Sequence, residues 1–231
     1  QAAQKMANTP VYHVIVSMAG GNPRSYGLAG SVQIAGAQVS DEDVARVLSS
    51  CEVPDFGEAR EVLHAQPVNF ALDNRSGLAD PRGQVGLKLS TDMHMMTVDA
   101  GAVQNLVHCV KRCDLELAGV VSSAYVSGLS SLVEDEQELG AACVDMGGGA
   151  TSVSIFLKKH MIYADTVRMG GDHVTNDISL GLQIPSAKAE RIKTFYGGAH
   201  ATSMDDRERI DIGGDTGDFD RDSRSVSRTE L

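Results

Sequence analysis

Along most of this chain apolar and polar positions alternate over short runs, and helical spacing breaks in at intervals, which predicts interleaved strands and helices. Val11-Tyr-His-Val-Ile-Val-Ser17 is nearly continuous in apolar residues and predicts a strand covered on both faces, inside a sheet, with His13 as a satisfied core histidine. Met18 to Gly27 reads as a loop from its Gly, Asn and Pro content, and Leu28 to Ala35 as a strand. Ser40-Asp-Glu-Asp43 offers a capping box, after which Val44, Val47, Leu48 and Cys51 fall at helical spacing. Glu61 to Leu72 predicts a strand with Val62, His64, Gln66, Val68, Phe70 and Leu72 on one side; Pro67 points to an open edge. A turn-rich stretch from Asn74 to Gly83 precedes alternation at Val85, Leu87 and Leu89, and a second strand run covers Met93 to Val98. Met93, Met95 and Met96 fit strand packing better than a soft binding surface. Asp99 stands where a cap belongs, and Val103, Leu106, Val107 and Val110 mark a helix whose Lys111 and Arg112 suit its negative end. From 28 to 100 the order is strand, helix, strand, strand.

Leu115 to Val121 predicts a short buried strand, with Ser122 or Ser123 capping a helix through Leu132. Gly128 lowers that helix's propensity by about 1 kcal/mol relative to Ala, so close packing is the expected reason for it. Glu134 to Glu138 reads as a solvated acidic loop without a catalytic role. Ala141 to Phe156 predicts strand, glycine turn and strand, with Val153, Ile155 and Leu157 as the alternating apolar set. Lys158-Lys159-His160 then turns into a strand over Met161 to Val167, and two helices follow, broken at Pro185. Gly197 to Leu231 is crowded with charge and poor in apolar residues, and taken alone predicts disorder. Asp215, Asp218 and Asp220 miss the alternate-residue spacing of a calcium loop.

Composition narrows the classes. The 231 residues, 42% hydrophobic, allow one or two domains with a sizeable core. A net charge of -11 without a Lys/Arg run argues against a nucleic-acid partner. Cys51, Cys109, Cys113 and Cys143 contain no CxxC pair and read as buried thiols of a reducing compartment; Cys109 and Cys113, beside His108, fit core packing better than a metal site. No run reaches the roughly 18 apolar residues of a membrane span, and no basic-then-apolar leader opens the sequence.

The candidate chemistry lies in Asp145-Met-Gly-Gly-Gly149. Three glycines leave backbone N–H groups unobstructed, which suits a loop closing over phosphate oxygens, and Asp145 at the strand end could hold a metal ion through water. No Gly-Lys-Ser/Thr follows, so this is not a Walker loop. An ordinary glycine hairpin is the competing reading.

That hairpin is followed by Met169-Gly-Gly-Asp-His-Val-Thr-Asn-Asp-Ile178 and by Ser186-Ala-Lys-Ala-Glu-Arg-Ile-Lys-Thr-Phe-Tyr196. It is preceded by Ala118-Gly-Val-Val-Ser-Ser-Ala-Tyr-Val-Ser-Gly-Leu-Ser-Ser-Leu132 and Glu134-Asp-Glu-Gln-Glu-Leu-Gly140. Together, from about Val11 to Gly197, these resemble the FtsA family of bacterial cell-division proteins, within the actin-like ATPases. The resemblance implies an α/β fold with an actin-like, ribonuclease-H-like core. It divides the chain into 1–27 ending a first subdomain, 28–100 as an inserted SHS2-like interaction subdomain, 101–140 returning to the first, 141–196 as a second subdomain, and 197–231 opening a last one. It further implies that Asp145, Gly147, Gly148 and Gly149 form a phosphate loop binding ATP and, through Asp145, Mg2+. Gly170 and Gly171 would lie near the phosphates, with Glu190 and Lys193 reaching ribose and adenine; a surface ion pair is the plain alternative for the last two. Ala150 replaces the family's usual threonine and removes a phosphate hydrogen bond, which Thr151 would partly restore. Ser152 replaces the usual acidic residue, so weak hydrolysis at most is implied. The implied partners are FtsZ, later division proteins at 28–100, other copies in a filament, and the inner membrane through a C-terminal amphipathic helix, on its cytoplasmic side at the septum. The first residue, Gln1, falls within what reads as a helix end, so a piece of a longer protein is expected. With one jaw of the phosphate clamp, the isolated chain is expected to bind ATP weakly or not at all. A non-enzymatic interaction module with a degenerate nucleotide site is the alternative. A sugar kinase or chaperone relative fits the inserted block less well.

Overall fold

A computed structural model describes residues 2–34, 38–200, 202, 204–213 and 224–231. In chain order the elements are α1 (Ala2–Ala7), β1 (His13–Met18), β2 (Arg24–Gln33), α2 (Asp41–Ser49), β3 (Arg60–Leu72), β4 (Arg75–Leu78), β5 (Lys88–Asp99), α3 (Ala100–Lys111), β6 (Glu116–Ser122), α4 (Ser123–Ser131), α5 (Glu134–Leu139), β7 (Ala141–Met146), β8 (Thr151–Leu157), β9 (His160–Val167), α6 (Gly171–Leu182), α7 (Ser186–Tyr196), β10 (Arg209–Asp211) and β11 (Ser225–Ser227). The chain forms two units: Gln1–Asp145 with Ala150–Arg168, and Met146–Gly149 with Met169–Leu231. It crosses between them on either side of the triple glycine.

In the first unit β1 and β6 pair in parallel. The expectation of a β1 covered on both faces is not met: its residues alternate, and Ile15 is 68% exposed because β6 is its one strand partner among the described residues. His13 lies on the exposed face, 3.3 Å from Glu116, and is not a core histidine. β6 likewise is only partly buried.

The four-stranded antiparallel sheet runs β2-β5-β3-β4. β2 begins four residues before the expected start, paired without interruption to β5 from Arg24↔Thr97 to Gln33↔Lys88. The two expected runs around Leu89 and Met93 are therefore parts of one strand, while Val85 and Leu87 lie before it and are exposed. α2 starts as the capping box predicts: Asp43 N–H donates to Ser40 Oγ, and Ser40 N–H donates to the Asp43 carboxylate, 2.9 Å away. Its Val44 and Val47 pack with Ile34, Val39, Phe70, Leu72 and Leu89 against the sheet. β3 departs from a single alternation, because bulges at Val62/His64 and Pro67/Asn69 reset which face each residue takes. Val62 is exposed and Leu63 turns inward; Pro67 does sit where β4, paired only from Phe70, leaves the edge open. Asp99 does not cap α3; its carboxylate accepts from Arg60 Nη1 at 2.9 Å instead.

Against this sheet packs a cluster of Met96, Ala124, Phe156, Met161 and Ala164. β7, β8 and β9 form a three-stranded sheet in that order, β8 and β9 antiparallel. The deeper face of β8 carries Ser152, Ser154 and Phe156, the opposite phase to the expected apolar set. Buried hydroxyls are tolerated because they are bonded: Ser154 Oγ donates to Ala124 O at 2.8 Å, and Ser152 Oγ lies 2.9 Å from Thr166 Oγ1. Gly128 faces Phe156, as close packing predicts; a Cβ there would stand 2.2 Å from Phe156 Cε2. α4 has Ser122 at its N-cap position, yet neither serine caps it: the Ser122 hydroxyl makes no capping bond, its N–H donates to His64 Nε2, and Ser123 Oγ is buried with no hydrogen-bond partner among the described residues. Glu134 to Glu138 is helix, not loop: Glu136 accepts from Val133 N–H, and Lys159 pairs with Glu134. Cys51 is buried as expected; Cys109 and Cys113 are exposed and Cys143 half-buried, which overturns core packing for the pair.

The second unit is built on α6 and α7, whose Ile178, Ala189 and Ile192 pack with Ile184, Ile210 and Ile212. The last two come from the stretch expected to be disordered; among its described residues β10 and β11 pair antiparallel. Asp215, Asp218 and Asp220 lie outside the described residues.

Candidate functional site

The second unit holds seven of the candidate residues: Gly147, Gly148, Gly149, Gly170, Gly171, Glu190 and Lys193. Gly171 N–H donates to Gly147 O at 3.0 Å and Asp172 N–H to Gly148 O at 2.8 Å, so the triple glycine is stitched to the first turn of α6. Gly170, the residue before that turn, is fixed by space: a Cβ would fall 2.4 Å from Gly147 O and 2.5 Å from Gly148 O. Two further donors at this helix start are satisfied, Gly170 N–H by His173 Nδ1 at 3.2 Å and His173 N–H by Gly170 O at 3.0 Å. This arrangement decides where the loop's own donors go. In a trans peptide the C=O and the following N–H point in opposite directions. With the Gly147 and Gly148 carbonyls turned to α6, the Gly148 and Gly149 N–H groups are turned away from it. A Cβ on Gly149 would meet nothing within 4 Å.

Behind Gly171 lies a network that ties α6 to α7. Lys193 Nζ lies 3.0 Å from Gly171 O, 2.8 Å from Thr175 Oγ1 and 2.6 Å from Glu190 Oε2. An ammonium has three hydrogens, and all three have acceptors here. Thr175, buried, donates to Glu190 Oε2 at 2.5 Å. Lys193 and Thr175 at its side chain hold the Glu190 carboxyl below the usual carboxylate range. Among the described residues Glu190 Oε1 is engaged only by a long 3.4 Å contact from Thr194, and the side chain is half exposed. The pair is thus more than a surface ion pair, but Lys193 has no hydrogen left for a ligand while this network stands.

Three candidates belong to the first unit. The Asp145 carboxylate accepts from Ser127 Oγ at 2.8 Å. Ala150 is half-buried, and Thr151 opens β8, opposite Val167. Among the described residues no cluster of three metal-ligating side chains occurs. Sequence reading missed Thr175, Ser127 and His173. Thr175 had a usable signal, since it stands four residues after Gly171 and so on the same face of α6.

Residues 20–97 match the family model described as the SHS2 domain inserted in FTSA, and residues 142–231 match that of cell division protein FtsA. Cell division protein FtsA of Agrobacterium fabrum is 39% identical over 98% of this chain and 51% of its own length. That of Pseudomonas aeruginosa is 35% identical over 99% of this chain and 54% of its own length. The chain therefore spans about half the length of the curated relatives it matches. Among solved structures, a chain of the PilM-PilN type IV pilus biogenesis complex shares the fold, with a TM-score of 0.56 at 14% identity over 84% of this chain and 54% of its own. This chain belongs to the FtsA family of cell division proteins and has its α/β, actin-like fold with an inserted SHS2 domain.

Proposed function

We propose that this chain supplies part of an ATP-binding site to a cell-division protein, with the Gly148 and Gly149 N–H groups donating to phosphate oxygens. The orientation of those two donors, forced outward by the carbonyl contacts to Gly171 and Asp172, carries the reading. Glu190 adds the complementary chemistry. An ionised carboxylate only accepts, so its outer oxygen selects a neutral hydroxyl donor such as a ribose, while the loop selects an anion. Lys193 acts here by holding Glu190 and Gly171 in place. Asp145, two residues before the first loop glycine, would orient Mg2+ through water; Mg2+ is suited to one carboxylate, waters and phosphates rather than an all-protein cage. Ala150 supplies no hydroxyl, and the Ser152 hydroxyl is committed to Thr166, so turnover is slow at best.

In the same reading the whole protein self-associates, links the FtsZ ring to the cytoplasmic side of the inner membrane at the septum, and recruits later division proteins through 28–100. Family membership supports this part. The commitment of Ser152 also favours a second reading, an interaction module that does not turn nucleotide over. Hydrogen exchange tests the first: in the full-length native protein, the peptide spanning 144–152 slows on adding Mg-ATP. Unchanged exchange at saturating nucleotide contradicts it and favours the interaction module.

A further inference from the structure

We infer that Thr175 is a positioning residue of the nucleotide site, setting the Glu190 carboxylate for a ribose hydroxyl and thereby the preference for ribonucleotides. The inference rests on the nucleotide reading above. Thr175 is 5% exposed and reaches no solvent-facing ligand itself. Its hydroxyl has one hydrogen and three polar neighbours: Glu190 Oε2 at 2.5 Å, Gly171 O at 3.1 Å and Lys193 Nζ at 2.8 Å. Lys193 is itself a donor to Gly171 O, so the hydroxyl hydrogen goes to the carboxylate, the shorter and charge-assisted bond. Glu190 Oε2 then receives two donors, from Lys193 and Thr175, and is saturated.

One oxygen held from two directions fixes the plane of the carboxylate, and Oε1 becomes the oxygen left for a ligand. Without the Thr175 hydroxyl, Glu190 would pivot about a single contact to Lys193 on a side chain that is half exposed. Orientation, rather than charge, is what Thr175 contributes. A carboxylate free to turn still attracts cations and still repels phosphate, but it no longer distinguishes a hydroxyl from its absence.

The test measures affinities of the full-length native protein for ATP, 2′-deoxy-ATP and 3′-deoxy-ATP by calorimetry, for the wild type, Thr175→Ala, Thr175→Val, Thr175→Ser and Lys193→Met. A hydrogen bond to a charged group predicts that the wild type prefers ATP over at least one deoxy analogue by roughly tenfold. Thr175→Ala brings that ratio to near one, Thr175→Ser keeps it, and Lys193→Met, which removes the other anchor of Glu190 without altering Thr175, also collapses it. Because the readout is a ratio within each variant, loss of folded fraction does not mimic it, and Thr175→Val, which keeps the branched shape and removes only the hydroxyl, carries the test if Thr175→Ala does not fold. A wild type that binds ATP without distinguishing the deoxy forms, or a Thr175→Ala that keeps the wild-type ratio, overturns the role of Thr175 alone. A wild type that binds none of the three overturns the nucleotide reading with it.

Discussion

Replacing Gly128 by Ala puts one methyl group into a place where the structure leaves none. The new Cβ would lie 2.2 Å from Phe156 Cε2, 2.8 Å from Cζ and 3.0 Å from Ser154 Oγ. Phe156 cannot swing aside: it is 0% exposed, stacked on Tyr125 with ring centroids 6.0 Å apart, and surrounded by Met96, Met161 and Ala164. Overpacking of this kind costs about 1–3 kcal/mol, and these contacts place it toward the upper end. Ala returns about 1 kcal/mol of helix propensity, so the net loss is about 1–2 kcal/mol. For a chain of this size that lowers Tm by about 2–8 °C. Urea unfolding followed by near-ultraviolet circular dichroism of the tyrosines reads it directly, in a protein with no Trp. The sharper result is a change of sign. In a Phe156→Leu background the clash is relieved, and Gly128→Ala becomes stabilising by up to about 1 kcal/mol. Equal destabilisation in both backgrounds, or a neutral Gly128→Ala in the wild type, refutes the packing argument.

Three other outcomes follow from named contacts. Gly170→Ala, whose Cβ meets two backbone carbonyls rather than a movable side chain, separates the glycine loop from α6 and destabilises the second unit, visible as faster hydrogen exchange at Gly171 and Asp172. Ser40→Ala removes the hydroxyl half of a capping box and costs about 1 kcal/mol of unfolding free energy, read as a lower denaturant midpoint at unchanged m. His94, buried beside His64, has its pKa pushed down to about 4 by burial first and by His64 second. The unfolded chain therefore takes up that proton first, and stability is full above pH 6.5 and falls as pH drops toward 4, by up to about 3 kcal/mol; His94→Gln flattens that slope.

Where the sequence was legible, a local rule had no competitor. Ser40 and Asp43 announce α2 because capping is settled within four residues. The glycines at 147–149 and at 170–171 stand out in the sequence as a phosphate loop and its neighbours, whereas the contact the structure gives at Gly170 is with the protein's own backbone, two carbonyls where a side chain would stand. The rest was hidden by partners distant in sequence. Ser152 and Ser154 looked like outward positions of β8, yet their hydroxyls are satisfied by Thr166 and by the Ala124 carbonyl, so the polar face is the buried one. Two bulges in β3 break an alternation that looked unbroken on paper. Arg209–Asp211 pairs with Ser225–Ser227 across an intervening stretch, so Ile210 and the following Ile212 looked isolated in a charged segment. Thr175 was overlooked because its role depends on α7 folding back to present Glu190 and Lys193.

The nucleotide reading turns on Gly149. A Cβ there meets nothing within 4 Å of the protein, and its backbone needs no left-handed conformation, so Gly149→Ala leaves the fold intact. In the full-length native protein, calorimetric Mg-ATP affinity is the measurement to make, beside a thermal melt. Alanine keeps the N–H, but its methyl group stands beside that donor and obstructs a phosphate oxygen approaching it, so the account predicts that affinity falls by roughly tenfold or more, the equivalent of losing one charge-assisted hydrogen bond, with Tm unchanged. Unchanged affinity in a protein that binds Mg-ATP would contradict it, because the phosphates would then lie elsewhere.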